Sequence, residues 1–433
     1  MEQQAFSHGA APIAPTETGL PADVPDAVTF LPVQMSASGA LLLDPYPTKD
    51  AYMKRLHDLK QSKSTLEKGG YVVQALTKDD LAYKQKCQRC HKIINRAPKY
   101  SGNRKPKPNG HAVGEHRNGH TVAGVATSGP LAALPGGKPS DKTTKKEPPH
   151  ECKYHDGGFN GRIWSCCRAG IYNKPCKSSV EHLAAVYQPG DLEEVYRYYT
   201  TPATTSSTFP CLAVAIDCEM GTSVTNNPVL IRVTLVDYFT SEVLVDKLVW
   251  PDEPPLHYNT RFSGVTYGQI ARAKSRGECL FGNAGARDAI WRFVGPETIV
   301  VAHSGQNDLS VMRWIHNNIV DTFLVESLPV VKLQREAREK AEKEKPAGSP
   351  SEKKQRSPKN KPPVGEPEKK KKNPKGSGQF SLKTLSRVRL GRDIQVGNGG
   401  HDSVEDAIAA RDIAHWNVLN FGHGVYEIQS SAD

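Results

Sequence analysis

The sequence predicts a mixed α/β domain joined to a small metal-organised module, and three observations carry that prediction. From residue 211 onward, strand-length runs rich in β-branched residues cover 212–216, 229–236, 243–249 and 298–302, with helical patterns among and after them. Six of the nine cysteines crowd between residues 87 and 176, where aliphatic residues are too few to bury them in an ordinary core. Segments dominated by Pro, Gly, Asn and Lys interrupt both regions and carry no hydrophobic period.

Composition narrows the classes. The 433 residues leave room for two or three domains, and a mean hydropathy of −0.54 is low for one compact body, so part of the length is expected to be disordered. The formal charge of +11 and a pI near 9.1 point to a polyanionic partner. No run is long and apolar enough for a membrane span, and the first residues lack the basic start and apolar core of a secretory signal. The expectation is an intracellular chain with reduced cysteines, which favours metal ligands over disulfides.

Taken in order, residues 1–47 read as a disordered tail rich in Pro, Ala, Ser and Gly. Residues 48–66 read as one helix with Leu56, Leu59 and Leu66 inward, stopped by Gly69-Gly70. The pair Cys87-Gln-Arg-Cys90 opens the Cys/His-rich module of residues 48–182, which a flexible insertion at 94–149 divides. Beyond the insertion come Cys152-Lys-Tyr-His155, Cys166-Cys167, Cys176 and His182. With Cys87 and Cys90 these make eight soft ligands, enough for up to two four-coordinate structural zinc sites. His91 and His150 compete as ligands, and spacing does not say which residues share an ion. Residues 183–210 read as a linker with a helical portion near 192–199.

The α/β domain spans 211–425, followed by a short tail at 426–433. Short connections predict an antiparallel meander of its first three strands. A helix is expected over 284–294, and 298–302 is a buried strand. The segment 303–316 turns into a helix carrying Leu309, Met312, Trp314 and Ile315, and a short strand at 319–320 ends at Asp321. Residues 335–378 interrupt the domain with fifteen Lys and Arg against seven Glu, which is +8 of the chain's +11. This stretch is expected to loop out, and its run 369–372 suits nuclear import or nucleic-acid tethering. Deleting 336–376 is expected to weaken RNA binding more than the chemical step. A helical pattern resumes near Phe380, with Leu382 and Leu385 inward. A last helix runs to about Leu419, with Ser403 as N-cap and a narrow stripe of Ala407, Ala410, Ala414 and Val418.

The chemistry gathers on Asp217-Cys-Glu219 at the end of the first strand. Alternation places Asp217 and Glu219 on one face and Cys218 on the other. Two adjacent carboxylates at a buried strand end repel and need a cation. Asp308 lies in the first turns of a helix after a buried strand, and His401 and Asp406 flank the start of the last helix.

The order Asp-x-Glu, a helix-opening Asp, then His-x4-Asp resembles the His-containing branch of the DEDD exonucleases. The resemblance sharpens to the Rex family of eukaryotic RNA exonucleases through Ala215-Ile-Asp-Cys-Glu-Met220, Tyr258-Asn-Thr-Arg-Phe-Ser-Gly264, Ala302-His-Ser-Gly-Gln-Asn-Asp308-Leu, Ser381-Leu-Lys-Thr-Leu385, Leu390-Gly-Arg-Asp-Ile-Gln395 and Gly400-His-Asp-Ser-Val-Glu-Asp-Ala407. The Cys/His-rich part resembles the N-terminal region of fungal members, and also the Cys/His-rich domains of some co-chaperones. The resemblance implies an RNase H-like fold, with a five-stranded mixed sheet containing one antiparallel strand. It implies 3′-to-5′ removal of nucleotides from RNA with two Mg²⁺ or Mn²⁺ ions. Asp217, Glu219, Asp308 and Asp406 would be metal ligands and His401 the general base. Met220 would lie against the terminal nucleotide, with Asn259 and Arg261 as further substrate contacts. An acidic residue usual in the family before Tyr258 is His257 here. His303 and Asp321 also recur in the pattern and are expected to be structural, and Cys211 and Cys218 are expected to pack in the core.

Hard cations explain the carboxylates, and a histidine titrating near neutrality explains the base. RNA 3′ ends are the expected substrate and the nucleus the expected location, with the cytoplasm as the alternative. Two other readings stand beside this one. The catalytic residues do not see the 2′-hydroxyl, so a single-strand DNA exonuclease fits them as well. A zinc-dependent binding scaffold on a vestigial nuclease fold would be expected to have lost an acid, and here all five site residues are present.

Overall fold

The computed structural model describes residues 30–94, 152–343, 378–397 and 399–420. The remaining parts of the two expected insertions, the chain ends, His150 and the basic run 369–372 lie outside the described residues.

The first helices belong to the α/β body. Helix α1 (Lys49–Asp58) is capped by Thr48, whose side chain accepts from the Ala51 amide. It buries Tyr52 and Leu56 among Ala213, Ala215, Ala407, Ala414 and Val418. The single helix expected over 48–66 is two helices, because the chain between them joins a sheet edge. Gln61 donates its amide to the Ile319 carbonyl at 3.1 Å, and its side-chain oxygen accepts from the Asp321 amide at 2.7 Å. Helix α2 (Lys63–Lys68), capped by Ser62, then sends Leu66 into the core and ends at Gly69 as expected. The part of the expected disordered tail that is described, 30–47, also packs down. Leu41 is buried and bonds to the Phe239 carbonyl, and the Tyr46 hydroxyl donates to the Val418 carbonyl at 2.7 Å.

Helix α3 (Lys78–Ala82) leads into the Cys/His-rich module. Its described secondary structure is one two-stranded antiparallel ladder, β1 (Cys152–Tyr154) with β2 (Lys177–Ser179). Helix α4 (Asp191–Val195) and β3 (Tyr199–Thr200) follow. The expected linker is therefore anchored, since β3 pairs in parallel with Trp314 and Ile315.

The central sheet is built from β4 (Ala213–Ser223), β5 (Pro228–Asp237), β6 (Val243–Trp250), β7 (Pro255–His257), β8 (Leu280–Phe281), β9 (Ile299–Ala302) and β11 (Ile319–Asp321), with the short β10 (Trp314–Ile315) outside it. Strand order is β11-β9-β4-β5-β6-β8, with β7 pairing the far end of β4. The meander β4-β5-β6 is antiparallel, whereas β9 runs parallel to both β4 and β11. The central five strands thus contain one antiparallel member, β5, which is the RNase H-like arrangement. Two short strands, β7 and β8, widen the expected sheet to seven.

Helices cover both faces, and α6 (Tyr267–Ser275) precedes β8. Val214, Ile216 and Cys218 pack against α7 (Gly282–Trp291) and α8 (Gln306–Val311), while Ala213 and Ala215 face α11 (Ser403–Leu419) and α1. Helix α8 stops at Val311, earlier than the sequence pattern suggests. Trp314 and Ile315 form β10 instead, and the Trp314 indole donates to the Thr201 hydroxyl at 2.9 Å. Helix α9 (Thr322–Lys343) runs through the start of the expected disordered insertion. Helix α10 (Leu382–Leu390) is capped by Ser381 and buries Leu382 and Leu385 as expected. On α11 the cap is Asp402, one residue before the expected Ser403, and burial extends round the whole helix. A narrow stripe was the wrong pattern because the sheet, α1, α9, α10 and residues 30–47 enclose this helix together.

Candidate active site and metal centres

Strand alternation delivers Asp217 and Glu219 to the α11 side of β4, with Cys218 in the opposite core. A β-bulge separates Glu219 from Met220 and shifts the register with β5 by one residue beside the acids. Asp308 rides on α8, the helix that follows β9, and the neighbouring Cys218 amide and thiol hold its pKa down in part. Asp406 sits in the first turn of α11 and is buried, as are Glu219 and Asp308.

These acids feel one another. Burial pushes Asp217 well above the carboxylate range, and the charges of Asp308, Asp406 and Glu219 push it further. Glu219 is raised to about 8 by burial and then by Asp406, against a smaller opposing pull from Arg232. Asp308 is raised to about 8 by burial and by Asp321. Arg232 does not neutralise the cluster, because its guanidinium is held by Asp246 at 2.7 and 3.0 Å and by Asp402 at 3.1 Å. A buried set of hard oxygen donors with surplus negative charge fits divalent cations.

His401 stands at the rim, 42% exposed, with Nδ1 3.5 Å from Asp406 Oδ2. That hydrogen bond raises its pKa, opposed in part by burial. Its backbone is pinned, since the His401 amide donates to the Phe262 carbonyl at 2.5 Å.

The proposed substrate residues divide. Met220 is half-buried against the core cluster that includes Cys218 and Leu309. Asn259 has φ +51° and donates to the Met220 carbonyl at 3.0 Å, so its side chain fixes the loop beside Met220. Arg261 is exposed on α5 (Thr260–Ser263), next to the Phe262 ring. His257 ends β7, its ring stacked near that of Tyr172 from the Cys/His-rich module.

Two further residues of the motif, expected to be structural, are held by hydrogen bonds. His303 Nδ1 lies 2.9 Å from the Thr322 hydroxyl, and burial lowers its pKa. Asp321 accepts from the Tyr71 hydroxyl at 2.6 Å and from the Ser304 and Phe323 amides. Cys218 is buried in the core, and Cys211 is half-buried, its thiol pushed up to about 12 by burial and by Asp237.

Sequence reasoning missed Gln395. Its side-chain amide donates to both Asp406 oxygens, at 3.1 and 3.0 Å, and its φ is +54°. Its place at the end of a quoted motif was the available signal. The Arg232–Asp402 pair and the contact of the Thr234 hydroxyl with that of Ser403 at 2.7 Å were also missed. Only pairing of β5 with α11 reveals them.

The soft ligands sort into two sets: Cys87, Cys90, Cys152 and His182, and His155, Cys166, Cys167 and Cys176. Within each set the donor atoms all lie within 4.8 Å of one another. Sulfur–sulfur spacings are 3.7 Å for Cys87–Cys152 and 3.6 Å for Cys166–Cys176, and Cys90 Sγ is 3.3 Å from His182 Nδ1. Four donors at Zn–S distances of about 2.3 Å around a tetrahedral ion stand roughly 3.8 Å apart, so both sets fit zinc. The β1–β2 ladder is the crossbar between them: Cys152 and His182 serve one end, His155 and Cys176 the other. His91 belongs to neither set and lines a cavity instead.

No family model matches the chain. RNA exonuclease 3 of Candida glabrata is 26% identical over 88% of this chain and 73% of its own length. RNA exonuclease 3 of Candida albicans is 28% identical over 62% of this chain, which spans about half of that relative, 54%. Among solved structures, the protease and nuclease unit of Neurospora crassa Pan2 aligns over 54% of this chain and 34% of its own, with 16% identity and a TM-score of 0.33. In sequence, then, this chain is similar to curated proteins named RNA exonucleases, one of them matched over most of its length.

Proposed function

We propose that the chain is a divalent-metal-dependent 3′-to-5′ exoribonuclease that trims RNA ends. The observation that carries this reading is the convergence of Asp217, Glu219, Asp308 and Asp406, from three separate elements, with His401 beside them at the rim. Those four carboxylates would hold two Mg²⁺ or Mn²⁺ ions, which supply Lewis-acid stabilisation to the attacking and leaving oxygens of a phosphodiester. Nδ1 of His401 faces Asp406, which favours the tautomer that leaves Nε2 to take the proton of the attacking water. Gln395 holds Asp406 in place, and Asn259 sets the loop next to Met220, where the terminal nucleotide would rest.

The names of the relatives support RNA as substrate. The basic run 369–372 supports residence in the nucleus. The test uses the purified, zinc-loaded chain with Mg²⁺ on 5′-labelled RNA and DNA oligonucleotides, beside an Asp217→Ala control. A ladder shortening from the 3′ end of RNA, absent in the control, is the expected result. Equal rates on DNA would remove the RNA assignment, and no hydrolysis of either would remove the enzyme.

A further inference from the structure

The Cys/His-rich module does more than sit beside the nuclease body. Lys86, next to the zinc ligand Cys87, donates to the Thr225 carbonyl and to the Asn227 side chain on the β4–β5 hairpin. Between module and body lies a cleft of about 540 Å³. Its walls are Lys84, Lys86 and His91–Ile93 of the module and, from the body, Asn226–Leu230, Ser310, Val311 and Arg313.

We propose that this cleft is an RNA-binding subsite that holds the phosphodiester backbone upstream of the 3′ end. The inference rests on the exonuclease reading above, and three features argue for it. The first is charge. Lys84, Lys86, Lys92 and Arg313 line the cleft against Asp252 and Glu253. Both acids are already engaged: Glu253 accepts from the Thr225 hydroxyl at 2.6 Å and the Asn227 amide at 3.0 Å, and Asp252 accepts from the Asn283 amide at 2.9 Å. Among the described residues, Lys84, Lys92 and Arg313 pair with no carboxylate. Unpaired cations in a concave surface are suited to a polyanion and costly otherwise.

The second feature is preorganisation. Arg313 has φ +54°, and its guanidinium lies over the rings of Tyr196 and Tyr198, at 4.9 and 5.5 Å from their centroids. Lys84 approaches the same Tyr196 ring at 5.8 Å. The cations are thus steadied by aromatic rings, which leaves phosphate as a natural counterpart.

The third is position. Val311 and Ser310 end the helix α8 that carries Asp308, so the cleft begins about one helical turn, ~5 Å along the axis, beyond a catalytic acid. Leu230 in its wall is the register partner of Met220. An RNA whose 3′ nucleotide rests at Met220 has this cationic surface within reach, and an unrelated acidic peptide would gain nothing from that continuity.

The test measures binding of a twelve-nucleotide RNA to the full zinc-loaded chain carrying Asp217→Ala, with and without Lys84→Ser and Lys92→Ser. The expected result is an affinity loss of roughly tenfold and a slope of log affinity against log salt shallower by about 1.4, two single-strand phosphate contacts at about 0.7 each. Unchanged affinity and slope would overturn the subsite. Lys92 is exposed, so Lys92→Ser alone, with a slope change of about 0.7, gives the same decision if the double variant loses zinc. Hydrolysis by the unmodified chain separates the two claims. Cleavage without a slope change removes the subsite alone, and a slope change without cleavage removes the nuclease reading alone.

Discussion

Gln395 is the residue on which the acid cluster turns. A carboxylate in a metal site must present fixed oxygens, and Asp406 receives both hydrogen bonds of the Gln395 amide while His401 Nδ1 stands 3.5 Å from its Oδ2. The Gln395 backbone is itself secured, with its amide donating to Glu405 and its carbonyl accepting from Lys383. Gln395→Ala is expected to lower kcat about 10–100-fold with little loss of folding, the usual size for removing a partner of a metal ligand. Steady-state rates with melting curves check this. Equal rates would mean that Asp406 is positioned without it. At this scale the carboxylates and His401 were legible, because their residue types follow from the chemistry. Gln395 and Arg232 were not, because an amide or a guanidinium two elements away carries no periodic signal.

At the scale of elements, the site depends on two loops meeting backbone to backbone. Gly400 has φ +88°, and a Cβ there would stand 2.3 Å from the Gly264 nitrogen and 3.1 Å from the Phe262 carbonyl oxygen. That contact, with the His401 amide bonded to Phe262, ties His401 to the loop that carries Asn259 and Arg261. Gly400→Ala forces the loops apart and strains the backbone, a cost of about 1–3 kcal/mol. The expected outcome is a lowered melting temperature and a fall in kcat, with Gly399→Ala milder since its Cβ would meet nothing. Matching losses from both would locate the effect elsewhere. Elements with a clear period, such as β4, β5 and α10, were readable in advance. The split between α1 and α2, the early end of α8 and the burial round α11 were not, because each is decided by a distant partner: Ile319 and Asp321 for Gln61, Thr201 for Trp314, and residues 30–47 for Arg411.

For the whole molecule, two zinc-sized cages and one carboxylate cluster share a single frame, joined at the β4–β5 hairpin by Lys86 and at β7 by Tyr172 and His257. The Cys/His-rich module has one short ladder and few buried apolar side chains, so metal is expected to supply much of its folding free energy. Elemental analysis should find two zinc per chain. Chelation should make residues 152–182 protease-sensitive while the α/β core, with its own buried clusters, stays resistant. A stoichiometry of zero, or a module indifferent to chelation, would contradict this. The number of soft ligands was legible in the sequence. Their grouping was not, since the second set is nested within the first, between Cys152 and His182, and only the ladder sorts them.

The central claim is that the carboxylate cluster places divalent ions on the scissile phosphate. It is tested most directly by replacing one non-bridging oxygen of the terminal RNA linkage with sulfur. Mg²⁺ binds sulfur poorly and softer Mn²⁺ tolerates it. The expected result is that one phosphorothioate diastereomer is cleaved far more slowly than the natural RNA in Mg²⁺ and regains most of its rate in Mn²⁺. Cleavage at the natural rate for both diastereomers in Mg²⁺, or hydrolysis with no divalent ion present, would contradict the account.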